Sequence, residues 1–224
     1  KILLLGFIRT DKPFLLRKRV SALHNEICND PYLRDFPSMK KTKIAFHAKD
    51  DRPEVREKFY KLIVDLDFKA EFFVARKKED VFKKRHRGKE YLFYDDMVSK
   101  LFENKLHKAQ NNYIYFAVRG DKKRQEPLED AIQAAINKFE RRWNKSVQTN
   151  YSVLPQSPAG EPCLQIADYM NWAVQRVFEK GEMRYYRFVE DKVSYLVDIY
   201  DFDKYPKNFY HRSNQFHVNK ISPL

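Results

Sequence analysis

Cysteine is nearly absent. Cys28 and Cys163 are the only two in 224 residues, too few for a disulfide-built secreted scaffold or a four-cysteine zinc site, and a reducing, cytoplasmic setting suits them. Glycine is scarce (5) and proline moderate (10), which excludes collagen-like and linker-dominated chains. No apolar run approaches the roughly 20 residues that cross a bilayer, so no membrane role is expected. The opening Ile2-Leu3-Leu4-Leu5-Gly6-Phe7-Ile8 stops at Arg9 without a small-residue cleavage pattern. It reads as a buried strand, not a signal peptide. The chain begins at Lys1 instead of a methionine, so an upstream segment is expected.

Acid is the other deficit. Asp and Glu number 31 against 44 Lys and Arg, a formal net charge of +13. A polyanion is the default partner for such a surplus, because phosphates neutralised by Lys and Arg release condensed counterions. The common chemical signatures are missing as well. No G-x-G-x-x-G, Walker loop, H-E-x-x-H or G-x-S-x-G occurs, which removes the usual nucleotide, metalloprotease and α/β-hydrolase readings. The six histidines (His24, His47, His86, His107, His211, His217) show no spacing that demands zinc. Cys163, with no base paired to it in the sequence, reads as a packed core thiol.

What is present suffices for a core: 43% hydrophobic and 15% aromatic residues. Strand patterns fall at 2–8, 42–48 (Ile44 and Phe46 pointing one way), 71–76, 113–118 and 151–154. Helical spacing falls at 14–28, from Pro53 to Leu66, at 91–109, and from Pro127 through the stripe Leu128, Ala131, Ala135, Phe139 and Trp143. A last helix follows Pro162 to about Lys180, with Gly181 as its stop. Strands separated by helices predict an α/β fold, and the closely spaced early strands predict an antiparallel edge, hence a mixed sheet flanked by helices. Residues 1–194 are assigned to this domain and 195–224 to a C-terminal extension. The extension's rings (Tyr195, Tyr200, Phe202, Tyr205, Phe209, Tyr210, Phe216) are expected to wrap the domain or dock a protein partner.

The positive charge is clustered. Lys83, Lys84, Arg85 and Arg87 crowd one stretch; Arg119, Lys122, Lys123 and Arg124 form a second; Lys138, Arg141, Arg142 and Lys145 form a third. Any one of them reads equally as solvated surface, but three without a compensating acidic block favour nucleic acid. No basic amphipathic helix with a wide apolar face supports membrane binding instead.

Chemistry has one remaining route, an oxygen-ligand metal. Mg2+ (or Mn2+) needs one or two protein carboxylates plus substrate phosphate. Two segments are candidates. Phe46-His47-Ala48-Lys49-Asp50-Asp51 lies at the end of an expected strand, where α/β folds place reacting groups. Taken alone, Asp50 or Asp51 reads more readily as the cap of the helix that Pro53 begins. In Glu161-Pro162-Cys163-Leu164-Gln165-Ile166-Ala167-Asp168-Tyr169, helical projection puts Cys163, Ile166, Ala167, Met170, Val174 and Val177 on a core face. Asp168 falls opposite, beside Leu164 and Trp172, a half-apolar setting that suits the lining of a groove.

The run Leu164-Gln165-Ile166-Ala167-Asp168-Tyr169, followed by Asn171-Trp172-Ala173-Val174-Gln175-Arg176, resembles the C-terminal signature of the bacterial domain-of-unknown-function family numbered 3800. Phe46 to Asp51, with Pro53-Glu54-Val55-Arg56, resembles that family's central segment. The resemblance implies a ribonuclease H-like fold and, by analogy, a two-metal phosphodiesterase of a family linked to mobile elements or phage defence. Asp168 would be the carboxylate from the last helix. Asp50 is the candidate second metal ligand, and His47, Asp50 and Asp51 are the candidates for a further ligand or a proton shuttle. The family's opening Asp-Glu-Ser-Gly type motif does not occur in this chain, so the first catalytic aspartate is expected upstream or lost. The alternative is a non-catalytic nucleic-acid-binding or assembly module on the same fold.

Overall fold

The structure, a computed structural model, describes residues 1–118 and 125–224. A four-stranded mixed sheet carries the architecture. β1 (Ile2–Arg9) runs antiparallel to β2 (Lys69–Arg76), with Leu4 opposite Val74; β2 runs parallel to β5 (Val193–Ile199), with Phe73 opposite Val197. β6 (Phe209–Tyr210) closes the far edge, antiparallel to β5. A separate parallel pair joins β3 (Asn111–Ala117) to β4 (Asn150–Gln156). Among the described residues no helix is long and apolar enough to cross a membrane.

β2 is buried along nearly its whole length, so its alternation feeds two cores. Ala70, Phe72 and Val74 face the larger one, built with α1 (Pro13–Asn29), α3 (Pro53–Asp65) and α7 (Pro162–Lys180). Phe73 and Ala75 face α5 (Glu90–Phe102), behind which lies α6 (Gln125–Trp143). All three helices of the larger core open on a proline whose missing N–H needs no partner there. α7 ends at Gly181, whose φ of 66° is the left-handed stop that a glycine takes without strain.

Four readings of the sequence need correction. The strand expected at 42–48 does not form: α2 (Met39–Thr42) is a short helix, and turns follow it. The alternation misleads because Ile44 is exposed while Phe46 is buried, and the backbone N–H groups of 46–48 bond side chains, not a neighbouring strand. The helix expected at 91–109 stops at Phe102, with a 3-10 turn at Leu106–Lys108. The α6 stripe ends at Phe139, its buried face completed by Ile132 and Ile136, and Trp143 is exposed. Besides α2, two further short helices, α4 (Glu79–His86) and α8 (Arg184–Val189), were not anticipated.

The boundary drawn at 194/195 passes through β5, beside the central strand. The ring-rich tail wraps its own domain: Phe216 stacks on Phe178 of α7 at 5.6 Å and meets Tyr186 and Tyr210 edge-on. Phe202 and Tyr205 stay exposed. A buried clasp fixes the end of the chain. Arg76, at the end of β2, donates to Asp198 (2.8 Å), to Asp201 (3.2 Å) and to the Ser222 and Pro223 carbonyls.

α7 meets β1 closely at Gly6. A Cβ there would lie 2.3 Å from the Phe72 ring and 2.6 Å from Asn171 Oδ1 of α7. Gly6→Ala therefore has to push the Phe72 ring and the Asn171 side chain out of the packed seam between sheet and helix. The expected cost is about 1–3 kcal/mol, the usual penalty for overpacking, read as a lower denaturation midpoint in urea; an unchanged midpoint would show that the contact is slack.

Candidate functional site

Residues 43–52 form a loop lodged on α7, held by side chains that accept its backbone N–H groups. Phe46 N donates to Gln165 Oε1 (3.1 Å), and Gln165 Nε2 in turn donates to the Pro158 carbonyl (2.7 Å). Ala48 N donates to Asp168 Oδ2 (2.9 Å), and its carbonyl accepts from Arg56 Nη1 (3.1 Å). His47 N donates to Asp51 Oδ2 (2.8 Å). Phe46 and Ala48 are fully buried, so without these acceptors their N–H groups would lose water and gain nothing, at about 1–3 kcal/mol each.

Asp51 is the hub of the loop. Its carboxylate is 3% exposed and accepts from His47 N, from Thr42 Oγ1 (2.6 Å) and from Tyr169 OH (2.6 Å). Burial raises its pKa above the ordinary 3.8, and the three hydrogen bonds offset that only in part. All this spends Asp51 on structure. Asp50 is engaged elsewhere, bonded to Lys41 Nζ (2.9 Å), which holds its carboxyl below the ordinary range. It makes no bond to Asp168 or to the His47 ring among the described residues.

His47 and Asp168 are the pair that the fold brings together across 120 residues. His47 Nδ1 lies 3.8 Å from Asp168 Oδ2, and both side chains reach solvent, at 52% and 36% exposure. The loop uses the His47 backbone, leaving the imidazole uncommitted. Asp168 Oδ2 is fixed by the Ala48 N–H, while Oδ1 accepts no hydrogen bond from the described residues. Trp172, one turn along α7, forms the neighbouring wall. Arg56 and Arg176 lie over its ring, 5.2 and 5.6 Å from the centroid, and Tyr185 packs at 4.5 Å. Arg176 is paired with Glu182, whereas no carboxylate among the described residues pairs with Arg56. Helical projection anticipated this half-apolar side of α7. It missed Gln165 and Tyr169, which are buried for the loop's sake, and it overrated Cys163 and Ala167, which are only half-buried.

No family model matches this chain, and no curated protein or solved structure does either.

At the start of α7, Glu161 caps the Cys163 N–H (3.1 Å) and takes a forked bond from Arg17. Burial and that carboxylate push the Cys163 thiol up to about 12, so it is no nucleophile near neutral pH. Of the basic candidates, Lys83, Lys84, Arg85 and Arg87 are exposed along α4 and its left-handed end at Arg87. Lys83 is paired with Glu79. Arg119, Lys122, Lys123 and Arg124 lie outside the described residues. In the third cluster, Lys138 bonds Ser99 and Arg142 reaches Glu103, while Lys145 lines a cavity.

One free carboxylate oxygen and one imidazole suit an edge of a divalent-ion site. They do not make a two-ion centre, and among the described residues no three His, Cys, Asp or Glu side chains converge as metal ligands. The expected pairing of Asp50 with Asp168 is not formed.

Tyr169→Phe removes a short bond to a buried carboxylate. It should cost about 1.5–3 kcal/mol in chemical denaturation near neutral pH and raise the Asp51 pKa further, measured by carboxyl NMR titration. Because that pKa is already raised by folding, the contribution of Asp51 is fully present below pH 3.8 and declines as pH rises through its folded value. Asp51→Asn should flatten that segment of the stability profile. An Asp51 that titrates below 3.8 would contradict this.

Proposed function

We propose that the chain is a ribonuclease H-like domain that hydrolyses phosphodiester bonds of nucleic acid with a divalent ion, Mg2+ or Mn2+, at the corner made by His47 and Asp168. The observation that carries this reading is the convergence of two distant motif segments on one partly exposed corner, where the His47 imidazole lies 3.8 Å from the Asp168 oxygen that holds the Ala48 N–H and the second Asp168 oxygen accepts no hydrogen bond among the described residues. The likeness of the same two segments to the family numbered 3800, with its link to mobile elements or phage defence, points the same way.

In this reading Asp168 and His47 would hold the ion from one side, and a bound ion would lower the pKa of an attacking water or neutralise charge on the phosphate. The Ala48 N–H fixes one oxygen of Asp168, so the other keeps a set direction. Arg56, tied to the Ala48 carbonyl and lying over Trp172, places a positive charge beside the corner, where it orients a phosphate. Exposed Lys84, Arg85 and Arg87 add affinity along the strand without chemistry. A second reading, a non-catalytic nucleic-acid-binding module on this fold, draws on the engagement of Asp50 and Asp51 in internal bonds.

Asp168→Asn keeps an oxygen for the Ala48 N–H and removes the charge. It should lower Mg2+- or Mn2+-stimulated cleavage by at least about 100-fold while leaving binding within about twofold. His47→Ala should lower cleavage by about 10- to 100-fold, within or below the usual reach of acid–base groups. Undiminished cleavage by Asp168→Asn would remove that residue from the mechanism. Salt-sensitive binding without cleavage by the natural full-length protein would favour the second reading.

A further inference from the structure

A cavity of about 410 Å³ opens between the turn after α5 and the end of α6, lined by Asn104, His107, Lys108, Phe139, Trp143 and Lys145. Its size lies in the range of small-ligand pockets, about 300–1,000 Å³. The walls are rings and ammonium groups. The His107 imidazole stacks on Phe139 with centroids 4.3 Å apart and planes 16° off parallel. Trp143 is 53% exposed. It is held at its edge, where Nε1 donates to Asn104 Oδ1 (3.3 Å). That bond, with Arg142 5.7 Å from the ring centroid, restricts the indole's rotamers and so lowers the ordering cost of a stacking partner.

The electrostatics are one-sided. None of the described residues lining the cavity is an acid, while Lys108 and Lys145 both line it. His107 feels these charges: burial first, then Lys108, Lys105 and Lys145, lower its pKa, although Lys105 is itself paired with Glu71. A neutral hydrophobic ligand would leave the ammonium groups unanswered. A bare phosphate would leave the indole unused. A ligand with a flat ring and an adjoining negative charge answers both.

We propose that this cavity binds an unpaired nucleobase of a single-stranded nucleic acid, the base stacking on Trp143 and its flanking phosphates meeting Lys108 and Lys145. Base-to-ring stacking tolerates any sequence because every base has a π-face, and it requires that the base be out of a duplex. The proposal takes its partner class from the function proposed above and narrows it to single strands.

The test is a fluorescence and anisotropy titration of the full-length protein with oligodeoxyadenylate, and with a hairpin duplex for comparison. Trp143→Ala should weaken single-strand binding by about tenfold and remove the part of the binding-induced quenching that Trp143 supplies, leaving only that of Trp172 at the corner, with Trp143→Phe recovering part of the affinity. The double variant Lys108→Gln, Lys145→Gln should reduce the salt slope of single-strand binding by about 1.4, the value for two lost phosphate contacts. A merely structural role for these lysines would not change that slope. Unchanged affinity in Trp143→Ala, an equal loss on the duplex, or a shift in oligomeric state in place of affinity would overturn the proposal. Such failure is separable from failure of the hydrolytic reading: Asp168→Asn should keep both quenching and affinity, and cleavage that depends on Asp168 can persist with an inert cavity.

Discussion

The candidate site depends on one arrangement: a loop with no strand partner whose backbone N–H groups are satisfied by side chains of a helix packed beside it. Gln165 and Asp168 of α7 accept from Phe46 and Ala48, and Tyr169 acts through Asp51, which accepts from His47. Buried backbone donors must find acceptors, so the loop cannot leave α7 without orphaning several of them. The position of the His47 ring is a by-product of that constraint. Asp168 serves both ends, anchoring the loop with one oxygen and facing solvent with the other.

The same constraint divides the acids of the loop. Asp50, the candidate second metal ligand, and Asp51 are adjacent in sequence, yet the fold gives them opposite fates. Asp51 is buried among donors with its pKa raised, and Asp50 is held by Lys41 with its pKa lowered. Neither joins Asp168. The His47–Asp168 corner is thus smaller than a two-carboxylate centre, and the proposed hydrolytic role requires further ligands from outside the pair.

Much of the fold was legible because it is written in local periodicity. The helix expected at 14–28, those opened by Pro53 and Pro162, the stop at Gly181, the strand expected at 2–8 and the mixed α/β character all follow from caps, spacing and apolar runs, and the structure shows each of these elements within a residue or two of its expected bounds. The exposed, half-apolar side of α7 around Asp168 and Trp172 followed from helical projection. What failed was non-local. Residues 42–48 alternate like a strand, but Gln165 and Asp168, more than 100 positions away, claim the Phe46 and Ala48 N–H groups, and the nearby Asp51 claims that of His47. β5 was hidden because Val193–Ile199 mixes its apolar residues with Ser194, Tyr195 and Asp198, the last a carboxylate that is tolerated only because Arg76 reaches it. The tail was expected to wrap the domain or dock a partner, and Tyr210 and Phe216 do join the larger core.

The central claim is that Asp168 and His47 form one edge of a divalent-ion site. Its most direct test is a Mn2+ titration followed by NMR line broadening. The account predicts that the Ala48 amide and the His47 ring broaden before other signals, and that Asp168→Asn removes this while the Ala48 amide shift stays folded-like. Broadening that begins elsewhere, or that is indifferent to Asp168→Asn, would contradict it.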